Sequence, residues 1–519
     1  MSLRRRTVIS AMSLGLLISG CESLMSLRSP ASNDAKIFSV EEIIRGSELI
    51  LQDLQNPNVF NPSTCVDYVH RITDSVFKKP SDYYMPKNET EKTELRTKGP
   101  QLLQRFFDSR LALRGNLQKF DGAGELTIPC VNAVREGLQY FRFAEEFLLE
   151  WLVQQKVYAD KKTIILDNEA PYTMTNPAYA NFKLKSGDVM NIRGKSYVSA
   201  MIARIGDEEG HFSHLAVVGE DKKGKLFIVE SLIQYGVIVT PLEKWRKAED
   251  ARVALYRQPD EVLAKKSARA VYDYAMSAIS KGTNIRYDFA MDDSDYSTMF
   301  CSEVGKYAYD KGSDGKFIIP KFRTQATKFK GTTYLKDLGV DRDDLFAPFD
   351  MEVDPRFDFV AEYRYLPLIR QVRLQDAVLQ SVYEWMVKDK YEYSFTFPVT
   401  GKAFIAKLGR QMGLFSKDLP KYMPMDTLLT TLKFEAVATT LEKNIYAKEA
   451  AYFKKHGHSL TFVDMMAINN EYRRKDCELH KSFKAGMDSP FEDVRAEAMR
   501  KGDRSVFHWF FSNNATSCL

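Results

Sequence analysis

Ser213-His214-Leu215-Ala216-Val217-Val218 places an imidazole in a run that is otherwise apolar, and Leu226-Phe227-Ile228-Val229-Glu230 places a carboxylate in a second such run. Residues 219–225 between them are rich in Gly, Asp and Lys, a compact turn signal, so the two runs read as the arms of one β-hairpin. A hairpin symmetric about Lys222 sets His214 directly across from Glu230, on one face and within hydrogen-bonding reach. A slip of one residue would send the two side chains to opposite faces, so their parity carries the argument. His211 lies three residues before His214 and points to the other face of a regular strand. The two cannot ligate one ion from there, and no metal site is expected.

Further along, Phe300-Cys301-Ser302-Glu303-Val304 follows a loop rich in Ser and Asp and opens a helical pattern that continues to Lys311. Cys301 thereby stands at a helix N-terminus, where the dipole and unpaired N–H groups stabilise a thiolate and can hold an oxyanion. A thiolate, a histidine to carry the proton and a glutamate to orient that histidine make a complete nucleophilic triad. Taken singly, each has a plain structural reading: Cys301 as a small core residue, His214 as a satisfied core histidine, Glu230 as a strand charge. Their combination points to chemistry. The sequence holds no Gly-x-Gly-x-x-Gly, phosphate-binding loop, His-Glu-x-x-His or Gly-x-Ser-x-Gly, so dinucleotide, nucleotide, zincin and serine-hydrolase readings lack a motif. No cofactor is expected.

The ordered set is Ser186-Gly187-Asp188-Val189, Phe212-Ser213-His214-Leu215-Ala216-Val217-Val218, Val229-Glu230, Thr240-Pro241-Leu242, Tyr287-Asp288 and Cys301-Ser302-Glu303-Val304. It resembles the permuted papain-like enzymes of the YaeF/YiiX type, relatives of NlpC/P60 hydrolases, in which the histidine strand precedes the nucleophile. The resemblance spans about residues 184–364. It implies an α+β fold with a circularly permuted papain-like core and an antiparallel sheet, with Cys301 as nucleophile, His214 as general base and acid, and Glu230 orienting the imidazole. The backbone N–H groups of Cys301 and Ser302 are the implied oxyanion donors. Ala216 departs from the pattern, standing where the family has Gly, a one-methyl change in a tight strand.

Around that core the periodicity is helical. Apolar residues recur at three and four residue steps through Ile43, Ile44, Leu49 and Ile50, and again through Phe143, Phe147, Leu148, Trp151 and Leu152. The polar stretch 80–100, bracketed by Pro80 and Pro100, reads as a solvated connection. Short β-like runs fill 188–256, a long helix is expected over Glu261–Ser280, and helices return after Tyr363, clearest at 374–388 and 425–451. The expected organisation is a leader over 1–20, a linker over 21–38, a helical region over 39–165, the papain-like domain over 180–366 and a second helical region over 367–519. Arg473-Arg474-Lys475 and Lys454-Lys455, with His456 and His458, read as solvated faces.

Arg4-Arg5-Arg6, the apolar run 8–18 and Ile18-Ser19-Gly20-Cys21 resemble a signal peptide ending in a bacterial lipobox, which implies lipid attachment at Cys21. Glu22 after that cysteine suggests the outer membrane, with the protein tethered by its lipid and facing the periplasm. The chain has 519 residues and a formal net charge of +5, three of which are those arginines. Without them about +2 is left, too little field to hold a nucleic acid, so none is expected as a partner. Of six cysteines, Cys21 and Cys301 have roles, and the rest divide between the two helical regions. Cys65 with Cys130 and Cys477 with Cys518 are the expected disulfides in an oxidising periplasm. The functional expectation is a cysteine hydrolase of the amidase or peptidase class, with peptides of peptidoglycan as one substrate and acyl chains of lipids as another. A scaffolding lipoprotein on a relic core is the alternative of a different class.

Overall fold

The computed structural model describes residues 39–158, 173–246, 250–392 and 423–505. Four helices of eight residues or more lead: α1 (Val40–Gln55), α2 (Cys65–Ile72), α3 (Glu89–Gly122) and α4 (Ile128–Gln154). Ser39 and Glu42 form a reciprocal capping box at the start of α1. Thr127 caps α4, with Pro129 in its first turn. The disulfide Cys65–Cys130 ties the first residue of α2 to the first turn of α4.

The expectation of a solvated connection over 80–100 is corrected, because α3 runs through it and contains Pro100. Asn88 accepts from the Glu91 N–H as N-cap, and Glu89–Lys92 and Glu94–Lys98 pairs line the outer surface. Its Lys, Glu and Thr residues are the wet side of a helix whose Leu95, Leu102 and Leu103 are buried. At Gly99 an added Cβ would stand 2.7 Å from Leu152 Cδ2, so the two long helices meet closely beside the proline.

A seven-stranded, wholly antiparallel sheet follows, in the order β1-β9-β6-β2-β3-β4-β5. The strands are β1 (Met174–Thr175), β2 (Val189–Arg193), β3 (His214–Glu220), β4 (Leu226–Leu232), β5 (Gly236–Pro241), β6 (Arg252–Arg257) and β9 (Asp358–Arg364). The short strands β7 (Thr324–Gln325) and β8 (Asp344–Leu345) pair separately. A short helix, α5 (Tyr197–Ala203), links β2 to β3, and α6 (Glu261–Ser280) and α7 (Cys301–Gly312) lie between β6 and β7. These two pack against β3, where Leu215 and Val217 join Val304 and Ala308 in one core. The other face of the sheet buries Met190, Ala216, Val218, Ile228, Val253 and Leu255 with Trp245. The fold is α+β, as expected.

The C-terminal helices are α8 (Leu366–Lys388), α9 (Met425–His456), α10 (Phe462–Met487) and α11 (Glu492–Lys501). The first three share a second core in which Trp385, Phe434 and Met465 pack with Met201 of α5 and Phe143 of α4. Two of the surfaces read as solvated are corrected here. His458 is buried against Tyr452 and bonds the Ser459 carbonyl through Nδ1, and Arg473 pairs with Asp389 while lying over Trp385.

A buried network of charges joins the leading helices to the sheet. Glu362 on β9 takes Arg110 of α3 at 2.8 Å, Arg142 of α4 at 3.0 Å and its strand neighbour Arg364 at 3.0 Å. Arg364 and Arg110 both reach Glu145, Arg252 of β6 pairs with Glu146, and Arg193 of β2 meets Asp376 of α8 at 2.7 Å. All of these side chains are 4 % exposed or less. Ions withdrawn this far from water persist only when each has its counter-charge, so helices and strands must assemble together.

Candidate active site

The hairpin register is the first correction at the site. Ala216, not His214, stands directly across from Glu230, and Val218 faces Ile228. The turn is the reason: the Asp221 side chain accepts from the N–H groups of Lys223 and Lys225, and Gly224 takes φ +81°. That closes the hairpin about Lys223 and moves the register by two. A shift of two preserves parity, so His214 and Glu230 still share a face and meet diagonally. His214 Nε2 and Glu230 Oε2 are 2.8 Å apart, with the small side chain of Ala216 beside them.

Cys301 is the first residue of α7, after Phe300 in an extended conformation, and no side chain caps the helix. The N–H groups of Cys301 and Ser302 are therefore the first of the helix, with no carbonyl of an earlier turn to meet. Two contacts fix this point against the sheet. Ser231, next to Glu230, donates to the Met299 carbonyl at 2.6 Å, and the Met299 N–H donates to the Arg286 carbonyl at 2.9 Å. The Val237 N–H meets the Ile285 carbonyl at 2.9 Å; at Gly236 a Cβ would fall 2.1 Å from that oxygen, so the close pass of β5 and the loop excludes any larger residue.

The thiol of Cys301 lies in hydrogen-bonding reach of the His214 imidazole and is 3 % exposed. Burial opposes charge on both groups, but the bond between them reverses it. His214 gains from Cys301 and then from Glu230, which push its pKa up to about 10, while His214 draws the Cys301 thiol below its ordinary value. The pair favours a thiolate beside an imidazolium.

Three further groups at the site escaped the sequence reading. Tyr287, present only as a member of the ordered set, bonds Cys301 through its hydroxyl; burial and the neighbouring Cys301 hold that hydroxyl protonated, so it donates to the thiolate. Asp250 stands near enough to feel both His214 and Glu230, and burial pushes its carboxyl up to about 6. Glu303, two residues past the nucleophile, is fully buried, and burial and the Asp288 charge push it to about 9. It is thus neutral at pH 7.

His211 is placed elsewhere. Its ring packs on Phe143 at 4.3 Å, and Nδ1 meets Arg142 at 3.2 Å, inside the buried charge network. Among the described residues no group of His, Cys, Asp and Glu is arranged to hold a metal ion. Cys477 is disulfide-bonded and buried; Cys21 and Cys518 lie outside the described residues.

A helix-borne cysteine against an antiparallel sheet that carries its histidine, with the histidine earlier in the chain, defines a permuted papain-like cysteine hydrolase. Residues 183–321 match the model of the permuted papain-like amidase enzymes of the YaeF/YiiX type, the C92 family, a family of cysteine peptidases and amidases. The matched segment runs from just before β2 to just beyond α7, leaving β9 and both sets of flanking helices outside it. No curated protein and no solved structure matches the chain.

Proposed function

We propose that Cys301, His214 and Glu230 are the catalytic triad of a lipid-anchored periplasmic amidase working through a thioester. The observation that carries this reading is the position of His214, bonded to Glu230 on one side and to the Cys301 thiol at the start of α7 on the other. The Cys301 Sγ attacks the amide carbonyl carbon, and the N–H groups of Cys301 and Ser302 receive the oxyanion. The C–N bond breaks as the imidazolium of His214 gives its proton to the leaving amine. His214 then takes a proton from water, the hydroxide attacks the thioester, and the acid departs as the thiol is restored. The anchor is Cys21, which places the enzyme at the outer membrane among cell-wall peptides.

An apolar cavity of about 60 Å³ borders the site through Tyr287, with Met201, Ile233, Phe289 and Met291 in its wall. A volume of this size suits a small apolar group beside the scissile bond, which favours a peptide amide over a long acyl chain. Lipid acyl bonds are the second reading, supported by the apolar wall itself. Incubation with a cell-wall digest and with a lipid extract separates them by which products form. The triad is tested by labelling with an acyl-thiol probe and by turnover. Cys301→Ala is expected to lower turnover by about 10³-fold or more and to abolish labelling. Labelling of Cys301→Ser at wild-type strength would falsify the assignment.

A further inference from the structure

A second cavity, of about 260 Å³, lies among α1, α3, α4 and the start of α10, and none of Cys301, His214 and Glu230 lines it. Its wall is largely apolar, with Ile50, Leu102, Phe106, Phe147 and Leu148 prominent. Arg373 of α8 also forms part of that wall and is 1 % exposed. Its Nη2 donates to Glu150 at 2.5 Å, but its Nε and Nη1 are buried with no hydrogen-bond partner among the described residues. A guanidinium cannot discard its charge or its donors, and buried donors left without acceptors are costly to the fold. Lys79 lines the same cavity, as does one acid, Glu42.

An apolar volume with two orphan donors of one guanidinium is complementary to an alkyl chain that ends in anionic oxygen. We propose that this cavity binds a single-chain anionic amphiphile, a fatty carboxylate or a lysophosphatidate, with its chain along Phe106 and Phe147 and its head on Arg373. The site is separate from the nucleophile and gives the leading helices a ligand of their own. Burying an alkyl chain here removes apolar surface from water, and the head group supplies the acceptors that Arg373 lacks.

The test uses the full chain freed of bound lipid, with a fluorescent polyene fatty acid as the probe to be displaced. Laurate, 1-lauroyl lysophosphatidate, dodecanol and dodecyltrimethylammonium share one chain length and differ in the head. Displacement by at least one of the two anions at about tenfold lower concentration than dodecanol or the ammonium is expected. Which anion is tighter tells carboxylate from phosphate. Ala144→Phe, which fills the cavity from α4, is expected to weaken the preferred anion about tenfold or more while amide turnover stays unchanged. Arg373→Lys, which keeps a cation for Glu150, is expected to erase the preference for anions. Equal displacement by all four heads, or undiminished binding in Ala144→Phe, overturns the proposal. If Arg373→Lys does not fold, the head-group series on the unaltered protein and the filled cavity decide it.

Discussion

Two histidines three residues apart sit in surroundings that drive them in opposite directions. His214 has a carboxylate on one side and a thiol on the other, and its pKa rises to about 10. His211 is buried, and then Arg252, Arg142 and Arg204 repel a proton, so its pKa falls well below the ordinary value. Neither direction is written in the residue itself. The site around His214 gathers charge in order to use it, whereas the network around His211 gathers charge in order to cancel it, and the neutral imidazole there is a spacer among arginines.

The comparison is broken most severely on the network side. Glu362 holds three arginines, and Glu362→Gln leaves them short of one buried counter-charge, for an expected loss of about 3–5 kcal/mol in urea unfolding. The pH profile of activity in the molecules that remain folded should stay unchanged, since Glu362 does not touch the site. Glu230→Gln breaks the other side. It is expected to lower kcat/KM about 10²-fold with little change in stability. In the proposed mechanism activity requires the thiolate and the imidazolium together, so it is expected to fall as pH rises through about 10, where His214 loses its proton. Removing the Glu230 charge takes away one of the causes that raise this pKa, so the alkaline limb of the profile should move to lower pH. The smallest effect is His211→Gln, which keeps an acceptor for Arg142 and should change stability by about 1 kcal/mol or less at pH 7. Because folded His211 resists protonation and the unfolded residue does not, the wild type should lose stability as pH drops below about 6.5. That slope should flatten in the variant, as thermal unfolding across pH would show.

How much of this was legible in the chain depends on how local each feature is. The strand pair around the turn was readable because apolar alternation and Gly, Asp and Lys punctuation lie within one short segment. Its register was not, since Asp221 and Gly224 place the turn about Lys223 through backbone bonds that composition does not reveal. The pairing of His214 with Glu230 survived because it needs parity alone. Strand β9 was hidden for a different reason: Glu362 and Arg364 interrupt its apolar pattern, and the partners of Glu362 in α3 and α4 lie 252 and 220 positions away. Tyr287 and Asp250 likewise reach the site by tertiary approach, and only the recurrence of Tyr287-Asp288 in the ordered motifs pointed toward one of them. Pro100 misled because a proline beside a polar stretch normally marks a break, while here Gly99 lets the helix lie close to Leu152.

The buried network bears on where this protein can be cut. A fragment trimmed to the matched segment 183–321 would carry Arg252 without Glu146 and Arg193 without Asp376, and it would lack β9, which covers the edge of β6. Bare cations inside an apolar core and a strand with an open edge are conditions for aggregation. The catalytic motifs can be written in a short segment, but the buried counter-charges of Arg193 and Arg252 come together only in a piece that reaches from the leading helices to α8.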